Sequence, residues 1–292
     1  MKYLTVRHET RYAYSAPVSF GAHRLMLRPR DSHDMRLVSA ELTLSPPGQT
    51  RWLHDVFGNS VALVDFSAPA QLLAITSTLK IERYGIEGPV FPIAPEAEFY
   101  PFIYSSSDRV DLGRLLEQHY PDPEGVLARW ADSFVTARPM RTRDLLTSMN
   151  AALKPVIVYA ERHEQGTQSP AETLAKKAGA CRDFAMVFIE AARYLGFGAR
   201  FVSGYLYDPA LDKGSATPAT AATHAWAEVY LPGAGWIEYD PTDVLIGGET
   251  LIRVAVTRDP SQAIPISGSY SGSAADFVGM TVEVTVTAAD TA

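Results

Sequence analysis

The sequence contains a single cysteine, Cys181, and its surroundings make it a candidate nucleophile. Gly179 and Ala180 precede it, and the apolar residues that follow recur every three or four positions. This pattern predicts that Cys181 opens an amphipathic helix. Free backbone N–H groups at the start of a helix stabilise a thiolate and, later, an oxyanion. The alternative is the commoner role of a lone cysteine as a small buried side chain.

A histidine and an aspartate follow Cys181 in separate strand-like segments. His224 enters an apolar segment directly after the small and polar residues 208–222, and Asp240 ends the next such segment. An imidazole can exchange a proton with a thiol, and a carboxylate can orient that imidazole. A structural histidine and an Asx turn are the alternatives for these two residues. The other histidines lie in the strand-rich N-terminal part or in polar sequence: His8, His23, His33, His54, His119 and His163.

The turn between these two segments decides whether His224 and Asp240 can meet. The sequence Pro232-Gly233-Ala234-Gly235 predicts a β-hairpin. A hairpin that is symmetric about this turn would pair Asp240 with Ala227 and point its side chain away from the face of His224. Contact between the two side chains therefore requires a bulge or a shift in register.

Composition limits the classes of protein to which the chain can belong. The 292 residues are 47% hydrophobic and 20% charged, as in a folded protein of about two domains. A net charge of -7 argues against a nucleic-acid partner, and one cysteine excludes an internal disulfide and a thiolate metal cage. The charged N-terminus does not match a signal peptide, and no apolar run of about 18 residues occurs. We therefore expect a cytoplasmic protein without a membrane partner.

The pattern along the chain predicts an α+β protein. Short alternating segments separated by turns predict a β-sandwich over residues 1–90, with one strand stopped at Pro17, and residues 87–101 form a proline-rich linker. Helical and strand-like segments then alternate over 91–258, and 259–292 comprise a loop and a strand that returns to a sheet. The interval 208–222 is expected to be a mobile loop beside the site. Helices are predicted at 123–131, 142–153, 169–177 and 182–195, and strands at 199–207, 224–231, 235–239 and 281–287.

Four motifs resemble, in order, the core of the transglutaminase-like superfamily over about residues 150–245. They are Gly179–Ala185, Ala199–Tyr205, Thr223–Tyr230 and Gly235–Thr242. Further segments resemble the N-terminal β domain of a bacterial group of transglutaminase-like, candidate cysteine proteases, and the likeness spans nearly the whole chain. The segments of the N-terminal domain are His8–Tyr14, Leu27–Arg30 and Asp55–Asn59, and Arg253–Asp259 continues the likeness to the same group.

The resemblance implies a papain-like or transglutaminase-like core, with an antiparallel sheet and a catalytic helix, packed on the N-terminal sandwich. It implies Cys181 as nucleophile, His224 as general acid and base, and Asp240 as the group that orients His224. The reaction would pass through a thioester formed from a protein or peptide amide. Water would make the chain a peptidase or amidase, whereas a lysine amine would make it a crosslinking transglutaminase. No feature of the sequence excludes water, so hydrolysis is favoured, and a binding scaffold with a silent thiol remains a third alternative.

The resemblance leaves the surroundings of the thiol less defined. The backbone N–H of Cys181 is one expected oxyanion donor, and Tyr159 is the candidate for the upstream donor of the superfamily. Tyr159 and Trp226 are the candidate substrate-binding residues, although core packing is the commoner role for tryptophans placed like Trp226 and Trp236. Asp183 and Asp208 raise the possibility of calcium, but no clustered oxygen ligands accompany them, so we predict neither a metal nor a cofactor.

Overall fold

The computed structural model describes residues 2–84, 91–160, 162, 166–207, 219–248 and 250–289. It is a mixed α/β protein with more strand than helix. Its helices, in chain order, are α1 Ser106–Leu112, α2 Val126–Asp132, α3 Thr142–Leu153, α4 Pro170–Lys176 and α5 Cys181–Tyr194. Its strands are β1 Lys2–Phe20, β2 His23–Arg28, β3 Met35–Ser45, β4 Gly48–His54, β5 Ser60–Phe66, β6 Ala70–Arg83, β7 Phe99–Tyr100, β8 Met140–Arg141, β9 Val158–Tyr159, β10 Ala178–Gly179, β11 Ala199–Leu206, β12 Ala219–Leu231, β13 Gly235–Asp240, β14 Leu245–Ile246, β15 Leu251–Thr257, β16 Ile266–Ser267, β17 Tyr270–Ser271 and β18 Phe277–Ala289.

The N-terminal strands curl into a half-barrel, so the expected β-sandwich is not confirmed. Strand β1 lies between β6 and β18, with β3 outside β6, while β16, β2, β5 and β4 form a separate sheet. The expectation that Pro17 ends the first strand is wrong, because β1 continues to Phe20. Its register with β6 shifts between Ala13 and Val18, and such irregularities bend a strand.

Helix α5 is the centre of the second part of the molecule. Every residue from Asp183 to Arg193 is buried, which fits the predicted amphipathic helix packed on several sides. Alternate residues of β12, including Ala225, Ala227 and Val229, pack with α5 in one hydrophobic core. Phe188 also stacks on Tyr239 of β13, with 5.2 Å between the ring centroids. This packing fixes the helix against the hairpin that carries His224 and Asp240.

Strand β12 joins the two parts of the molecule. It pairs with β18 over Ala219–Ala221, with β11 from Ala222 to Val229, and with β13 from Ala227 to Leu231. Strand β18 in turn pairs with β1 along most of its length. Residues 219–222, expected to belong to a loop, therefore lie in a strand, and residues 208–218 lie outside the described part. Because the sheet is continuous, the boundaries near residues 90 and 258 stay predictions.

Candidate active site

Cys181 occupies the first position of helix α5. The preceding helix α4 is capped by Ser169, whose side chain accepts a hydrogen bond from the N–H of Glu172, and the chain then turns at Lys177 with a φ of 53°. Strand β10 follows and pairs in parallel with β9, so that the chain enters α5 in a fixed direction. The Cys181 side chain is partly exposed, whereas the helix after it is buried. The thiol therefore lies at the accessible end of a rigid helix.

Asp183 holds the chain on both sides of Cys181. Its carboxylate is completely buried and accepts hydrogen bonds from the N–H of Ala180 at 2.9 Å and the N–H of Gln168 at 2.8 Å. The guanidinium of Arg162 contacts both carboxylate oxygens at 2.9 Å. These donors occupy both oxygens, so Asp183 has a structural role rather than that of a calcium ligand. Asp208 lies outside the described residues.

The hairpin register places Asp240 on the same face of the sheet as His224. The pairing runs from Leu231 opposite Gly235 to Ala227 opposite Tyr239, and a three-residue turn connects the strands. Continuing this register sets Asp240 opposite Trp226, two residues from His224. The symmetric hairpin considered from the sequence is therefore one residue out of register. The required shift is supplied by the turn itself.

His224 and Asp240 form a direct hydrogen bond. The Nε2 atom of His224 lies 2.7 Å from Oδ2 of Asp240, and the two side chains are 7% and 0% exposed. The second oxygen of Asp240 accepts hydrogen bonds from the N–H groups of Thr242 at 2.9 Å and Asp243 at 3.3 Å. Asp240 thus forms an Asx-type turn and also orients the imidazole. The Asx turn and the contact with the imidazole, which the sequence left as alternatives for Asp240, therefore occur together.

The pKa of His224 is shifted by both of its neighbours, Asp240 and Cys181. Burial lowers this pKa, but hydrogen bonds to Asp240 and to the Cys181 side chain, together with the charges of these groups, raise it to about 10. Because Nε2 faces Asp240, Nδ1 is the nitrogen left for Cys181. An imidazolium at neutral pH beside a sulfur atom can hold a thiolate and can later deliver a proton.

Trp226 lies beneath His224 and does not reach solvent. It is completely buried, and its ring is nearly parallel to the imidazole, with centroids 6.0 Å apart. Gly204 leaves space for it, because a Cβ atom there would lie 2.7 Å from the indole and 2.1 Å from the carbonyl oxygen of Ile252. This burial replaces the expected substrate contact with a packing role. The ring of Trp236 is covered by the Arg200 guanidinium, which lies 4.0 Å from the ring centroid.

Tyr159 lies beside strand β10, the short strand that leads into Cys181. It is opposite Gly179 in the short parallel ladder of β9 and β10, and the N–H of Ala160 donates to the carbonyl of Gly179 at 2.9 Å. The Tyr159 side chain is 56% exposed and the neighbouring Val158 is 70% exposed. Tyr159 is therefore largely exposed to solvent, in contrast to the completely buried Trp226.

Among the described residues, one group of side chains could hold a metal ion. His224, Asp240 and Asp243 offer ligand atoms that lie within 4.8 Å of one another. Two members of this group, His224 and Asp240, already share a hydrogen bond of 2.7 Å. A metal would have to replace that bond, so the geometry favours the hydrogen-bonded pair.

Two family models match the chain. The bacterial transglutaminase-like N-terminal region matches residues 4–82, and the transglutaminase-like superfamily core matches residues 129–241. The second range contains Cys181, His224 and Asp240, which is where the sequence motifs placed them.

Relatives of known sequence or structure match along nearly the full length. An uncharacterized protein of Mycobacterium leprae is 26% identical over 298 residues, which cover 97% of this chain and 98% of the relative. An uncharacterized protein of Mycobacterium tuberculosis is 27% identical over 289 residues, covering 96% and 91%. The crystal structure of a candidate cysteine protease from Cytophaga hutchinsonii superimposes with a TM-score of 0.70 at 17% identity, covering 100% of this chain and 92% of that one. At this identity the likeness concerns the fold.

Among the described residues no helix is long and apolar enough to cross a membrane.

Proposed function

We propose that the chain, which matches the models of the bacterial transglutaminase-like N-terminal region and the transglutaminase-like superfamily core, is a cysteine-dependent enzyme acting on protein or peptide amides. Its main reaction in this proposal is hydrolysis, which makes it a peptidase or amidase. One observation carries the proposal. The 2.7 Å contact between His224 and Asp240 holds a buried imidazole beside the thiol of Cys181 at the start of a helix.

Cys181 and His224 divide the chemistry between them in this mechanism. The thiolate attacks the amide carbonyl, and the C–N bond breaks as His224 protonates the departing amine, which leaves a thioester. Neutral His224 then takes a proton from water, and the resulting hydroxide attacks the thioester and releases the carboxylic acid and the thiolate. Asp240 keeps Nε2 engaged throughout, so that Nδ1 stays directed at sulfur.

The start of helix α5 supplies an oxyanion donor. The N–H of Cys181 has no hydrogen-bond acceptor among the described residues, as expected for the first position of a helix. An oxygen that develops negative charge next to the sulfur would receive this donor together with the favourable end of the helix dipole. Asp183 keeps the donor in place through its hydrogen bond with Ala180.

The exposed residues beside Cys181 support an extended peptide as substrate. Val156, Val158 and Tyr159 are 41%, 70% and 56% exposed, and the last two form strand β9 next to the nucleophile segment. They offer apolar contact at the point where a peptide would reach the thiol. The partial exposure of Cys181 supports hydrolysis, because water can reach a thioester there.

A comparison of the wild type with Cys181→Ala tests the proposal. Both proteins are incubated with a cell proteome, and new peptide termini are identified by mass spectrometry in the presence and absence of a biotinylated primary amine. We expect termini that appear with the wild type and are absent with Cys181→Ala. Incorporation of the amine without new termini would establish crosslinking instead. Identical profiles for the two proteins would refute an enzymatic role for Cys181.

A further inference from the structure

A turn of the N-terminal region lies against the sheet that carries His224 and is held by several hydrogen bonds of its own. This turn, Asp55–Asn59, connects β4 to β5. The Asp55 carboxylate accepts hydrogen bonds from the N–H groups of Phe57 at 2.9 Å and Asn59 at 2.8 Å, and from the Asn59 side chain at 2.9 Å. Gly58 has a φ of 76° and donates its N–H to the carbonyl of Asp55. The turn therefore has one well-determined conformation.

Asn59 attaches this turn to the sheet. Its side chain is buried and pairs with the backbone of Val256 in β15, donating to the carbonyl at 2.7 Å and accepting from the N–H at 2.9 Å. The side-chain amide of Asn59 thus makes the two hydrogen bonds that the backbone of a neighbouring strand would make with Val256. Val256 lies opposite Val202 of β11, and β11 pairs with β12.

Phe57 extends the contact toward His224. Its ring packs against a buried cluster formed by Val202, Trp226, Leu251 and Val256. Trp226 in turn stacks on the imidazole, with 6.0 Å between centroids. A completely buried indole cannot touch a substrate, so it can affect a reaction only through the groups that it supports. A series of apolar contacts therefore runs from Phe57, through the cluster that contains Trp226, to the imidazole of His224.

We propose that the N-terminal region is part of the active-site architecture, with Phe57 and Trp226 as positioning residues for His224. The inference rests on the proposed function of Cys181 and His224. The imidazole must keep Nε2 on Asp240 while Nδ1 faces sulfur, and rotation of the ring breaks both contacts. A ring stacked on one face restricts that rotation, and Phe57 keeps the stacked ring from moving away. Phe57→Ala opens a space beside Trp226 and gives both rings freedom to move.

Alkylation of Cys181 tests the inference without a known substrate. The rate of labelling by iodoacetamide is measured from pH 5 to pH 9 for the wild type, Phe57→Ala, Phe57→Leu and Val56→Ala. Val56 is the matched control, because it lies in the same turn but is 92% exposed. We expect Phe57→Ala to slow labelling at pH 6 on the order of tenfold, Phe57→Leu to recover most of the rate, and Val56→Ala to match the wild type.

Thermal unfolding separates positioning from general destabilisation. A purely structural Phe57 would lower the melting temperature of Phe57→Ala and leave the labelling rate of the folded protein unchanged, which would overturn the inference. If Phe57→Ala does not fold, Phe57→Val takes its place, because it also removes the ring and fills less space than leucine, and a wild-type labelling rate in Phe57→Val refutes positioning. His224→Gln identifies failure of the proposed function itself. Slow labelling in His224→Gln combined with a wild-type rate in Phe57→Ala refutes only the inference. A wild-type rate in His224→Gln refutes the underlying function.

Discussion

Replacing Asp240 with asparagine tests whether this carboxylate governs the proton on His224. Burial alone lowers the pKa of His224, and the contacts with Asp240 and Cys181 reverse this effect and raise the pKa to about 10. Asparagine keeps the size of the side chain and an oxygen for the N–H groups of Thr242 and Asp243, but it removes the charge. We therefore expect Asp240→Asn to fold and to lower the pKa of His224 substantially.

The size of the effect follows from the pKa of His224. A rise from 6.5 to about 10 corresponds to about 5 kcal/mol of preference for the imidazolium, shared between Asp240 and Cys181. Loss of the aspartate costs serine triads about 10⁴ in turnover. A thiolate at a helix start depends less on its base, so we expect Asp240→Asn to lose roughly 10–1000-fold in turnover with little change in thermal stability.

Two measurements check this expectation. Titration of the His224 ring by NMR gives its pKa, and a substrate from the cleavage comparison gives the turnover. Asp243→Asn is the matched control, because it neutralises a partly exposed carboxylate in the same turn. The Asp243 carboxylate forms an ion pair with Lys154 at 3.5 Å. A His224 pKa or a turnover that is unchanged in Asp240→Asn, or equally changed in Asp243→Asn, would refute the reasoning.

Three further predictions concern stability. Because the pKa of His224 is raised from 6.5 to about 10 in the folded protein, protonation of His224 stabilises the fold fully below pH 6.5 and no longer above about pH 10. The difference in unfolding free energy between the wild type and His224→Gln, measured by urea titration, should therefore shrink as the pH rises across that range. A constant difference would contradict this expectation. Burial lowers the pKa of His8 to about 4, so the wild type should lose about 3 kcal/mol as the pH falls from 6.5 through 4, a loss that His8→Gln should lack. Gly204→Ala should cost about 1–3 kcal/mol, because the added methyl group meets Ile252 and Trp226, and an unchanged melting temperature would show that both can yield.

Local sequence signals predicted several of the helices and strands that carry the candidate site, because these signals are short-range. Helix α3 has the predicted bounds, and α5 begins at Cys181, where the apolar periodicity and the preceding glycine placed it. The sequence also indicated that His224 and Asp240 need a shifted register, since strand alternation is fixed by parity. The direction of the shift depends on the three-residue turn, which the sequence alone did not determine.

Features that depend on long-range packing could not be predicted. Trp226 shares a face with His224, so alternation alone allowed a substrate contact, and only its neighbours from β11, β15 and the N-terminal turn show that it is buried. Arg162 and Gln168 support the nucleophile through Asp183, and no pattern marks contacts made 15–21 residues apart. The curl of the N-terminal sheets into a half-barrel was likewise not predicted, because it depends on the arrangement of strands that are distant in sequence. The cytoplasmic location and the role of Tyr159 stay predictions.

The most direct test of the central claim is the rate at which iodoacetamide labels Cys181 at pH 6, compared with free cysteine in the same solution. A free thiol is about 0.3% ionised at that pH, because its pKa is about 8.5. The single cysteine makes the assay unambiguous, and mass spectrometry identifies the labelled residue. We expect Cys181 to be labelled at least about tenfold faster than free cysteine, even allowing for the weaker nucleophilicity of a stabilised thiolate. A rate equal to or below that of free cysteine would contradict an activated nucleophile at Cys181.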